Sequence, residues 1–540
     1  MPVKHRFSLG KKRLIQVLAV LSLISVVSPA YAVDEPVDPP APLNYDLVVY
    51  GGTPAGVMAA IAAKRQGLNV ALLAQGKTVG GTISNGLGAT DVKDTKLITG
   101  IPREFFRAVQ TSYKNKNAWR VTSKRAEEIF IKMLNNAKVD IFLNSQVTEA
   151  TVTDNKITCL KVTDDQYCAA EFIDASYMGE LLPLTNTASN LGRQDLFAYD
   201  DFKASNLQIG TRITLPKVLS EVEQESLNSL PFMQHPTTFD PSLIKVSSGM
   251  PSFTYRLCIT KGEKSRPFQI YPEDEKYIPA WRLIAQAFYS KGCSECENRN
   301  AHKITKFWRT ALVQGNKWDL NSFNSFTNFP MPENYLTDPS ARAGYNLQAA
   351  HYIESLYAYL QGPNSPVDLE QSTAEGFGIC NDEFTDNNNI PYEPYIREGR
   401  RIIGQSTLLV TDELTGATKE NSVGLAKYPL DNKLSINIQY KNKLYRDYAT
   451  FMNSKVYELP YSITVPKTGP DNLLVPVAVS TSPLAYGSLR MEPHFMTLGQ
   501  ATGIAAALAF KNTVPVKDVS ISSLQEILAG LGQRLHLLKK

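Results

Sequence analysis

The clearest pattern of apolar and polar residues lies between residues 45 and 91. Residues 47–50 form a short apolar run, which predicts a buried strand. A turn of small residues follows, and residues 57–66 are rich in alanine, which favours a helix. Gly67 is placed to end that helix, and residues 70–73 predict a second buried strand. A strand, a helix and a strand of this length are typical of a dinucleotide-binding unit.

The turn between the first strand and the helix carries the first candidate chemistry. It consists of Gly51, Gly52, Thr53, Pro54, Ala55 and Gly56. Free N–H groups and the helix dipole at such a helix N-terminus favour a pyrophosphate. Thr53 replaces the second glycine of the G-x-G-x-x-G pattern, and Ala74 and Gln75 stand where an acidic residue normally binds the ribose. On this turn alone two interpretations stay open: a nucleotide site, or a tight turn without a ligand.

The rest of the chain shows mixed helical and strand patterns. Up to residue 197 the pattern predicts helices at 103–113 and 123–136 and strands at 140–143, 147–153, 156–162 and 168–173. Between residues 198 and 461 proline, asparagine and aromatic residues are frequent, residues 316–340 look irregular, and helices are predicted at 278–290 and 349–361. We interpret this block as an inserted second domain. Beyond it, the pattern predicts a strand at 471–477 and a helix at 496–510.

The N-terminus has the pattern of a targeting segment. Basic residues up to Arg13 precede an apolar run at residues 14–27 and an A-x-A site that ends at Ala32. This predicts a signal peptide over residues 1–32 and export by the general route, with an uncleaved membrane anchor as the alternative. A proline-rich leader at 33–43 follows. The formal charge of +4 over 540 residues gives no indication of a nucleic-acid partner.

Cysteine use agrees with export, because disulfides form in oxidising compartments. Cys159 and Cys168 lie on adjacent predicted strands, so we expect a bridge between those strands. Cys293 and Cys296 form a C-x-x-C pair, which we interpret as a local structural disulfide. A redox pair is one alternative, and a zinc site completed by Cys258 or Cys380 is another. The histidines do not have the spacing of a metal site, and no metal is predicted.

Several segments together resemble one family. They are GGTPAG at 51–56, the pair Gly80-Gly81 with SNGLGATD at 84–91, FIDASYMGELL at 172–182, YIREGRRIIG at 395–404 and DNLLVPVAVSTSPLAYGSLRMEPHFMTLGQATG at 471–503. In this order they resemble the FAD-dependent oxidoreductases, glutathione-reductase-like flavoproteins that include secreted xanthan-lyase-related proteins and, distantly, the flavin subunit of heterodisulfide reductases. The resemblance implies an α/β fold. A Rossmann-like FAD-binding domain of the glutathione-reductase type would use residues 44–197 and 462–540, and 198–461 would form an inserted α+β substrate domain.

The resemblance also implies a set of cofactor contacts. The pyrophosphate would meet the turn formed by Gly51, Gly52, Thr53, Pro54, Ala55 and Gly56. Gln75 stands at the ribose position, Gly80, Gly81 and Thr82 would follow the ribityl chain, and Val147, Asp174 and Ala175 would close the adenosine end. Gly499, Gln500 and Ala501 would face the flavin ring, where a helix N-terminus stabilises the negative charge of reduced flavin.

Candidate catalytic residues come from two of the family-like segments. Arg397, with Glu398, Arg400 and Arg401, either holds a carboxylate substrate or an anionic flavin, or forms a salt-bridge network between domains. Arg256 lies in another family-like segment, and Arg490 and His494 flank the flavin-side helix. We select Arg397, Arg490 and His494, with His494 as a general base near neutral pH. Relatives often carry a histidine in the loop where this chain has Ser480-Thr481-Ser482-Pro483.

Two classes of function follow from these observations. The first is an exported, periplasmic or secreted FAD-dependent oxidoreductase that transfers a hydride between a small organic substrate and FAD, with an unidentified electron acceptor. After signal cleavage no stable membrane span is expected. The second is a secreted, non-catalytic binding or accessory protein that retains the flavoprotein fold. Ala74 and the missing loop histidine favour the second class. The regions around Gly80-Gly81 and Gly499-Gln500 favour the first class.

Overall fold

The structure is a computed structural model that describes eleven stretches of the chain. They are residues 41–92, 94–114, 118–192, 198–199, 208–240, 250–289, 309–321, 327–366, 376–431, 437–448 and 452–537. The predicted signal peptide and the pair Cys293 and Cys296 lie outside the described residues. The statements below about contacts and their absence concern the described residues.

Helices and strands alternate through the first third of the chain, and strands dominate the middle. The helices are α1 Pro54–Arg65, α2 Gly81–Ser84, α3 Gly100–Tyr113, α4 Ser123–Ala137, α5 Leu181–Leu184, α6 Glu221–Asn228, α7 Ile278–Tyr289, α8 Pro339–Gln361, α9 Val410–Thr415, α10 Tyr486–Leu489, α11 Glu492–Asn512 and α12 Ile521–Gly530. The strands are β1 Leu43–Tyr50, β2 Val70–Leu73, β3 Asp140–Phe142, β4 Val147–Thr153, β5 Lys156–Val162, β6 Asp165–Asp174, β7 Ser189–Leu191, β8 Gln208–Thr214, β9 Met250–Phe253, β10 Leu257–Lys261, β11 Ser265–Arg266, β12 Arg309–Leu312, β13 Lys317–Asn321, β14 Phe329–Met331, β15 Phe377–Cys380, β16 Arg400–Ile402, β17 Ser422–Ala426, β18 Asn437–Tyr440, β19 Lys443–Tyr448, β20 Tyr457–Pro460 and β21 Leu473–Leu474.

The largest sheet has the order β3-β2-β1-β6-β5-β4, and β21 also pairs with β6. The strands β3, β2, β1, β6 and β21 run parallel, whereas β4, β5 and β6 form an antiparallel meander. Side chains of β1 alternate between the two faces, as the pleat of a strand requires. Leu47 and Val49 face a core that includes α1 and α11, and Val48 and Tyr50 face a second core on the other side. Covering both faces explains the unbroken apolar run of β1.

The middle of the chain builds a separate hydrophobic core around α7 and α8. Next to it lies a five-stranded antiparallel sheet with the order β11-β15-β10-β13-β12. The core under the main sheet also takes in residues from within the predicted insertion, namely Tyr395, Leu408, Val423 and Tyr457. The described residues therefore form one compact unit in which the two cores share chain segments, and the domain limits 44–197, 198–461 and 462–540 stay a prediction.

Most predicted elements of the first 180 residues are present within a few residues of the expected limits. The prediction that residues 316–340 are irregular is wrong, because β13 and β14 lie there and α8 begins at Pro339. Asp338 caps α8 by accepting hydrogen bonds from the N–H groups of Ser340 and Ala341, and that short signal was missed. The strand expected at 471–477 is limited to β21.

Two disulfides stabilise the described fold. Cys159 and Cys168 face each other on β5 and β6 with their Cα atoms 3.9 Å apart, which confirms the predicted bridge between strands. Cys258 and Cys380 form a second bridge across a sequence separation of 122 residues. That bridge rules out the alternative in which either of these two residues completes a zinc site, because a disulfide sulfur is not a thiolate ligand.

In the described part of the chain, no helix combines the length and the apolar character needed to cross a membrane. The same residues contain no cluster of three or more histidine, cysteine, aspartate or glutamate side chains that would suit a metal ion.

Candidate cofactor site

The glycine turn after β1 is packed so closely that side chains are excluded. Gly51 has φ +112°, and a Cβ atom there would lie 2.5 Å from the carbonyl carbon of Ala175. A Cβ atom on Gly52 would lie 2.6 Å from the Cβ atom of Ala74, and one on Gly56 would lie 2.0 Å from the oxygen of Gly51. Glycine is therefore required at all three positions, and the turn lies directly against Ala175.

Thr53 is the N-cap of α1. Its hydroxyl accepts a hydrogen bond from the N–H of Gly56 at 3.2 Å and donates one to the carbonyl of Ala175 at 2.8 Å. Pro54 follows at the first helical position, where a missing N–H costs nothing. The departure from the glycine pattern at Thr53 thus supplies a cap, and its hydroxyl points into the fold.

A cavity of about 200 Å³ lies beside the turn. The predicted cofactor residues that line it are Gly52, Thr53, Gln75 and Gly81. Side chains that the sequence analysis did not select line it too, among them Gln146, Tyr177, Glu180, Arg342 and Glu393. The cavity lies at the carboxyl end of β1, the place where open α/β sheets bind their ligands.

Glu180 supplies a carboxylate to this cavity from outside the strand that normally carries it. One carboxylate oxygen accepts hydrogen bonds from Gln75 Nε2 at 2.9 Å and from the hydroxyl of Tyr50 at 2.8 Å. The other oxygen pairs with Arg342 at 2.6 Å. Although burial raises the pKa of Glu180, the Arg342 charge and these hydrogen bonds bring the pKa below its ordinary value. Gln75, at the position of the missing ribose acid, therefore holds an ionised carboxylate in place.

Glu393 lines the same cavity, and its pKa is shifted in the opposite direction from the pKa of Glu180. Burial, and next the charge of Glu180, raise the pKa of Glu393 to about 7. Its carboxyl oxygen lies close to Gly76, where a Cβ atom would approach to 2.3 Å. A neutral Glu393 tolerates a nearby phosphate, whereas an ionised one repels it.

We therefore expect the affinity of the apoprotein for FAD to fall as the pH rises from 6 to 8. A bound pyrophosphate raises the pKa of Glu393 further, so binding takes up a proton and weakens once the free carboxyl ionises above about 7. The decrease is about tenfold per pH unit at most. Fluorescence titration of FAD across this pH range measures it. The variant Glu393→Gln should give a flatter profile, and an unchanged profile in this variant would contradict the assignment.

The second glycine pair lies next to the first turn of α11. A Cβ atom on Gly81 would lie 2.3 Å from the hydroxyl of Tyr177, and that hydroxyl accepts a hydrogen bond from the N–H of Thr82 at 3.0 Å. The hydroxyls of Thr82 and Tyr177 each donate to Oε1 of Glu492 at 2.5 Å. Burial raises the pKa of Glu492 to about 7. These contacts bring residues from three distant parts of the chain together.

Several buried polar atoms around this junction have no hydrogen-bond partner in the described structure. They are Ser84 Oγ, Asn85 Oδ1 and Glu492 Oε2. Such atoms are normally satisfied, so their presence beside the second glycine pair and the N-terminus of α11 indicates a place for a polar ligand.

Gly499, Gln500 and Ala501 take part in helix packing. A Cβ atom on Gly499 would lie 2.2 Å from the carbonyl oxygen of Ala55, so the glycine lets α11 lie directly on α1. Gln500 Oε1 accepts a hydrogen bond from the N–H of Ile101 at 2.6 Å, at the start of α3, and Ala501 lies in the core. These contacts give a packing reason for the small and buried residues at this position, and contact of the three residues with a flavin ring stays a prediction.

Val147 and Asp174 lie near the cavity and do not line it. Val147 starts β4 and is buried in the core below the sheet, while its neighbour Gln146 reaches the cavity. The carboxylate of Asp174 accepts hydrogen bonds from the N–H and hydroxyl of Ser176 and from the N–H of Leu181. Asp174 therefore shapes the turn that presents Glu180, and contact of either residue with adenosine stays a prediction.

His494 is buried, and its two ring nitrogens face backbone groups. Nδ1 lies 3.2 Å from the carbonyl of Leu489, and Nε2 accepts a hydrogen bond from the N–H of Lys427 at 3.4 Å. Burial lowers the pKa of His494 to about 4, so the ring is neutral at physiological pH. The prediction that His494 is a general base near neutral pH is therefore corrected: it joins backbone segments.

The charged segment at residues 397–401 separates into two parts. Arg401 is fully buried, pairs with Glu398 at 2.9 Å and donates to the carbonyl of Gly192 at 2.6 Å. Arg400 donates to the carbonyl of Met178 at 3.2 Å. These two arginines therefore connect backbone segments, which agrees with the structural alternative for this part of the cluster.

Arg397 belongs to a different group, which surrounds the ring of Tyr395. The guanidinium groups of Arg397 and Arg256 lie 5.1 and 5.4 Å from the ring centroid, within the range of cation–π contacts. Arg490 donates to the Tyr395 hydroxyl at 3.2 Å. The structure thus brings Arg397 and Arg490 together with Arg256 and places Tyr395 between them.

Some of the cavity-lining residues that were not predicted lie in a segment that the sequence identifies as a motif, and others do not. Tyr177 and Glu180 lie in the segment FIDASYMGELL, which was selected as a motif without assigning these side chains. Arg342 lies far from any recognised motif and Glu393 lies two residues before the segment YIREGRRIIG, and only the fold brings the two side chains to the cavity.

The residues fit a dinucleotide cofactor on two observations. The glycine turn leaves no room for side chains, and buried polar atoms without partners lie near the second glycine pair. The cavity itself is smaller than the roughly 300–1,000 Å³ usual for a drug-sized ligand, so FAD requires lining side chains to move.

Comparison with known proteins identifies relatives by family and by structure. The family model described as FAD dependent oxidoreductase matches residues 46–528. Thioredoxin reductase from T. acidophilum is 21% identical over 25% of this chain and 35% of that chain, with a TM-score of 0.18. Thioredoxin reductase from Streptococcus pyogenes MGAS5005 is 20% identical over 25% of this chain and 36% of that chain, with a TM-score of 0.19. OxyS anhydrotetracycline hydroxylase from Streptomyces rimosus is 15% identical over 32% of this chain and 39% of that chain, with a TM-score of 0.24.

The matches therefore span between about a third and two fifths of these solved structures. A search of the curated proteins found no match.

Proposed function

Because the chain belongs to the family of FAD dependent oxidoreductases, we propose that it is an exported enzyme that transfers a hydride between a small organic substrate and FAD. The observation that carries this proposal is the cavity beside the glycine turn of β1 and α1, which Gly52, Thr53 and Gln75 line. When bound, FAD accepts a hydride equivalent from the substrate, and an electron acceptor, still unidentified, reoxidises it.

The chain's own residues bind and orient the cofactor in this proposal. The N-terminus of α1 and the residues Gly51 to Gly56 receive the pyrophosphate. Glu180 accepts the hydrogen bonds of the ribose hydroxyls, because Gln75 and Arg342 hold its carboxylate at the cavity. Gly81 and Thr82, which lie next to the start of α11, would follow the ribityl chain of the cofactor.

The proposal includes export to the periplasm or the medium. The basic and apolar pattern of residues 1–32 supports it. The two disulfides agree with an oxidising compartment, since cytosolic proteins seldom keep such bonds.

A non-catalytic binding protein with the same fold is the second candidate. Ala74 at the ribose position and a cavity of about 200 Å³ favour it, because both argue for weaker cofactor binding.

A visible absorbance spectrum of residues 33–540, purified from the exported fraction, tests the proposal. We expect the absorption bands of flavin, and release of FAD when the protein is denatured. A colourless protein that also takes up no added FAD would refute the enzyme and leave the second candidate. Recovery of the protein only from the cytoplasmic fraction would contradict export.

A further inference from the structure

Arg397 is buried, 4% exposed, and has no ion-pair partner among the described residues. Its Nη1 donates to the carbonyl of Ser252 at 2.7 Å, and its Nε has no partner. The two arginines beside it are paired. Arg256 is held by Asp319 at 2.5 Å and Arg490 by Asp431 at 3.2 Å. Arg397 therefore keeps a buried charge without a carboxylate, although burying an unpaired charge is costly.

The chain places this side chain next to the cofactor cavity. Glu393, Pro394 and Ile396 line the cavity, whereas Tyr395 belongs to the arginine group. Tyr395 is anchored through backbone hydrogen bonds with Thr254 in both directions. Along the segment 393–397, residues that line the cavity therefore alternate with Tyr395 and Arg397, which belong to the arginine group and do not line it.

The same group is connected to the loop after the second glycine pair and, along the chain, to the start of α11. Asp319, the partner of Arg256, accepts a hydrogen bond from the N–H of Gly88 at 3.1 Å, in the loop after the second glycine pair. Arg490 lies two residues before Glu492, which begins α11 and contacts Thr82. The arginine group therefore lies between the loop after α2 and the start of α11.

We propose that Arg397 is the anchor for an organic anion, and that the substrate of the proposed oxidoreductase carries a carboxylate. The inference rests on the proposed function. A guanidinium offers parallel N–H groups that match the two oxygens of a carboxylate, and the unpartnered Nε is one of them. Tyr395 supplies an aromatic face beside Arg397, and Arg256 lies against the same ring.

The carboxylates around the arginine group pair with Arg256 and Arg490 and leave Arg397 without an ion pair. Asp319 and Asp431 each neutralise a neighbouring arginine, and Asp91 acts on Arg256 and Arg490. Burial, and next the charge of Arg490, lower the pKa of Arg397 to about 9, which still leaves it charged at neutral pH. Asp431 also acts on Arg397 but does not pair with it, so an incoming carboxylate would be the first carboxylate in direct contact with this guanidinium.

The test uses the FAD-loaded protein and two matched probes, benzoate and benzamide. Benzoate is expected to bind and to change the visible flavin spectrum, and neutral benzamide is expected to bind at least tenfold more weakly. The variant Arg397→Met should remain yellow and lose benzoate affinity by about 30-fold or more, since one partner of a buried charge pair is gone. Arg397→Lys should recover part of that affinity. The control Arg282→Met changes an exposed arginine of α7 and should behave as wild type.

Thermal stability without benzoate separates binding from a structural role. If Arg397 serves binding, Arg397→Met should melt at the wild-type temperature or higher, because it removes a buried charge without a partner. A lower melting temperature together with unchanged benzoate affinity would overturn the inference. Yellow wild-type protein that binds neither benzoate nor a second carboxylate, succinate, would overturn it as well. Wild-type protein that never takes up FAD would overturn the proposed function and this inference together.

Discussion

Replacing Gly499 with valine is expected to lower the free energy of unfolding of the apoprotein by about 3 kcal/mol. A Cβ atom at this position would lie 2.2 Å from the carbonyl oxygen of Ala55, and one at Gly503 would lie 2.2 Å from that of Ala59. The two glycines are four residues apart, so they lie on one face of α11 and let it approach the backbone of α1. Urea unfolding of the apoprotein measures the effect.

The matched control for Gly499 is Gly344, an exposed glycine of α8. A Cβ atom there meets no other atom within 4 Å. Gly344→Val should be neutral or slightly stabilising, because valine has a higher helix propensity than glycine. If Gly499→Val instead left the stability of the apoprotein unchanged and abolished FAD binding, Gly499 would contact the flavin, as the family resemblance implies, and the packing role would be wrong.

Replacing Glu180 with glutamine is expected to weaken the binding of ADP, a probe for the adenosine half of FAD, by about 10- to 100-fold. The carboxylate is ionised and held by Gln75, Tyr50 and Arg342, so it can accept strong hydrogen bonds from the ribose. Hydrogen bonds to a charged group contribute about 1.5–3 kcal/mol each, and 1.4 kcal/mol corresponds to a factor of ten.

Comparison of ADP with 2′-deoxy-ADP isolates the ribose contact. Wild type should prefer ADP, and Glu180→Gln should bind both nucleotides about equally. The control Glu354→Gln breaks a similar buried pair, with Arg266 at 2.5 Å, on α8 beside the core around α7 and α8. It should lower stability without changing the preference for ADP. A Glu180→Gln protein that still prefers ADP would show that another group binds the ribose.

The outcome at α8 and β21 shows which predictions failed and why. The hydrophobic periodicity of the 349–361 region was recognised, but the first ten residues of α8 are mostly polar or small and have no apolar face to detect. The apolar run at 471–477 was read as a strand, yet only Leu473 and Leu474 pair with β6. A run of apolar residues shows that a segment is buried. It does not show whether another strand lies alongside to form backbone hydrogen bonds with it.

The sequence by itself determined the features that depend on neighbouring residues. The unit of β1, the glycine turn, α1 and β2, the meander of β4 to β6 and the bridge between Cys159 and Cys168 all follow from periodicity, turn residues and spacing. Only the tertiary structure decided the features that join distant segments. Glu180 reaches the position of the missing acid because β6 lies beside β1, and Gly499 meets Ala55 because α11 packs on α1. The isolation of Arg397 depends on which carboxylates the fold assigns to its neighbours, and a linear pattern of charges does not contain that information.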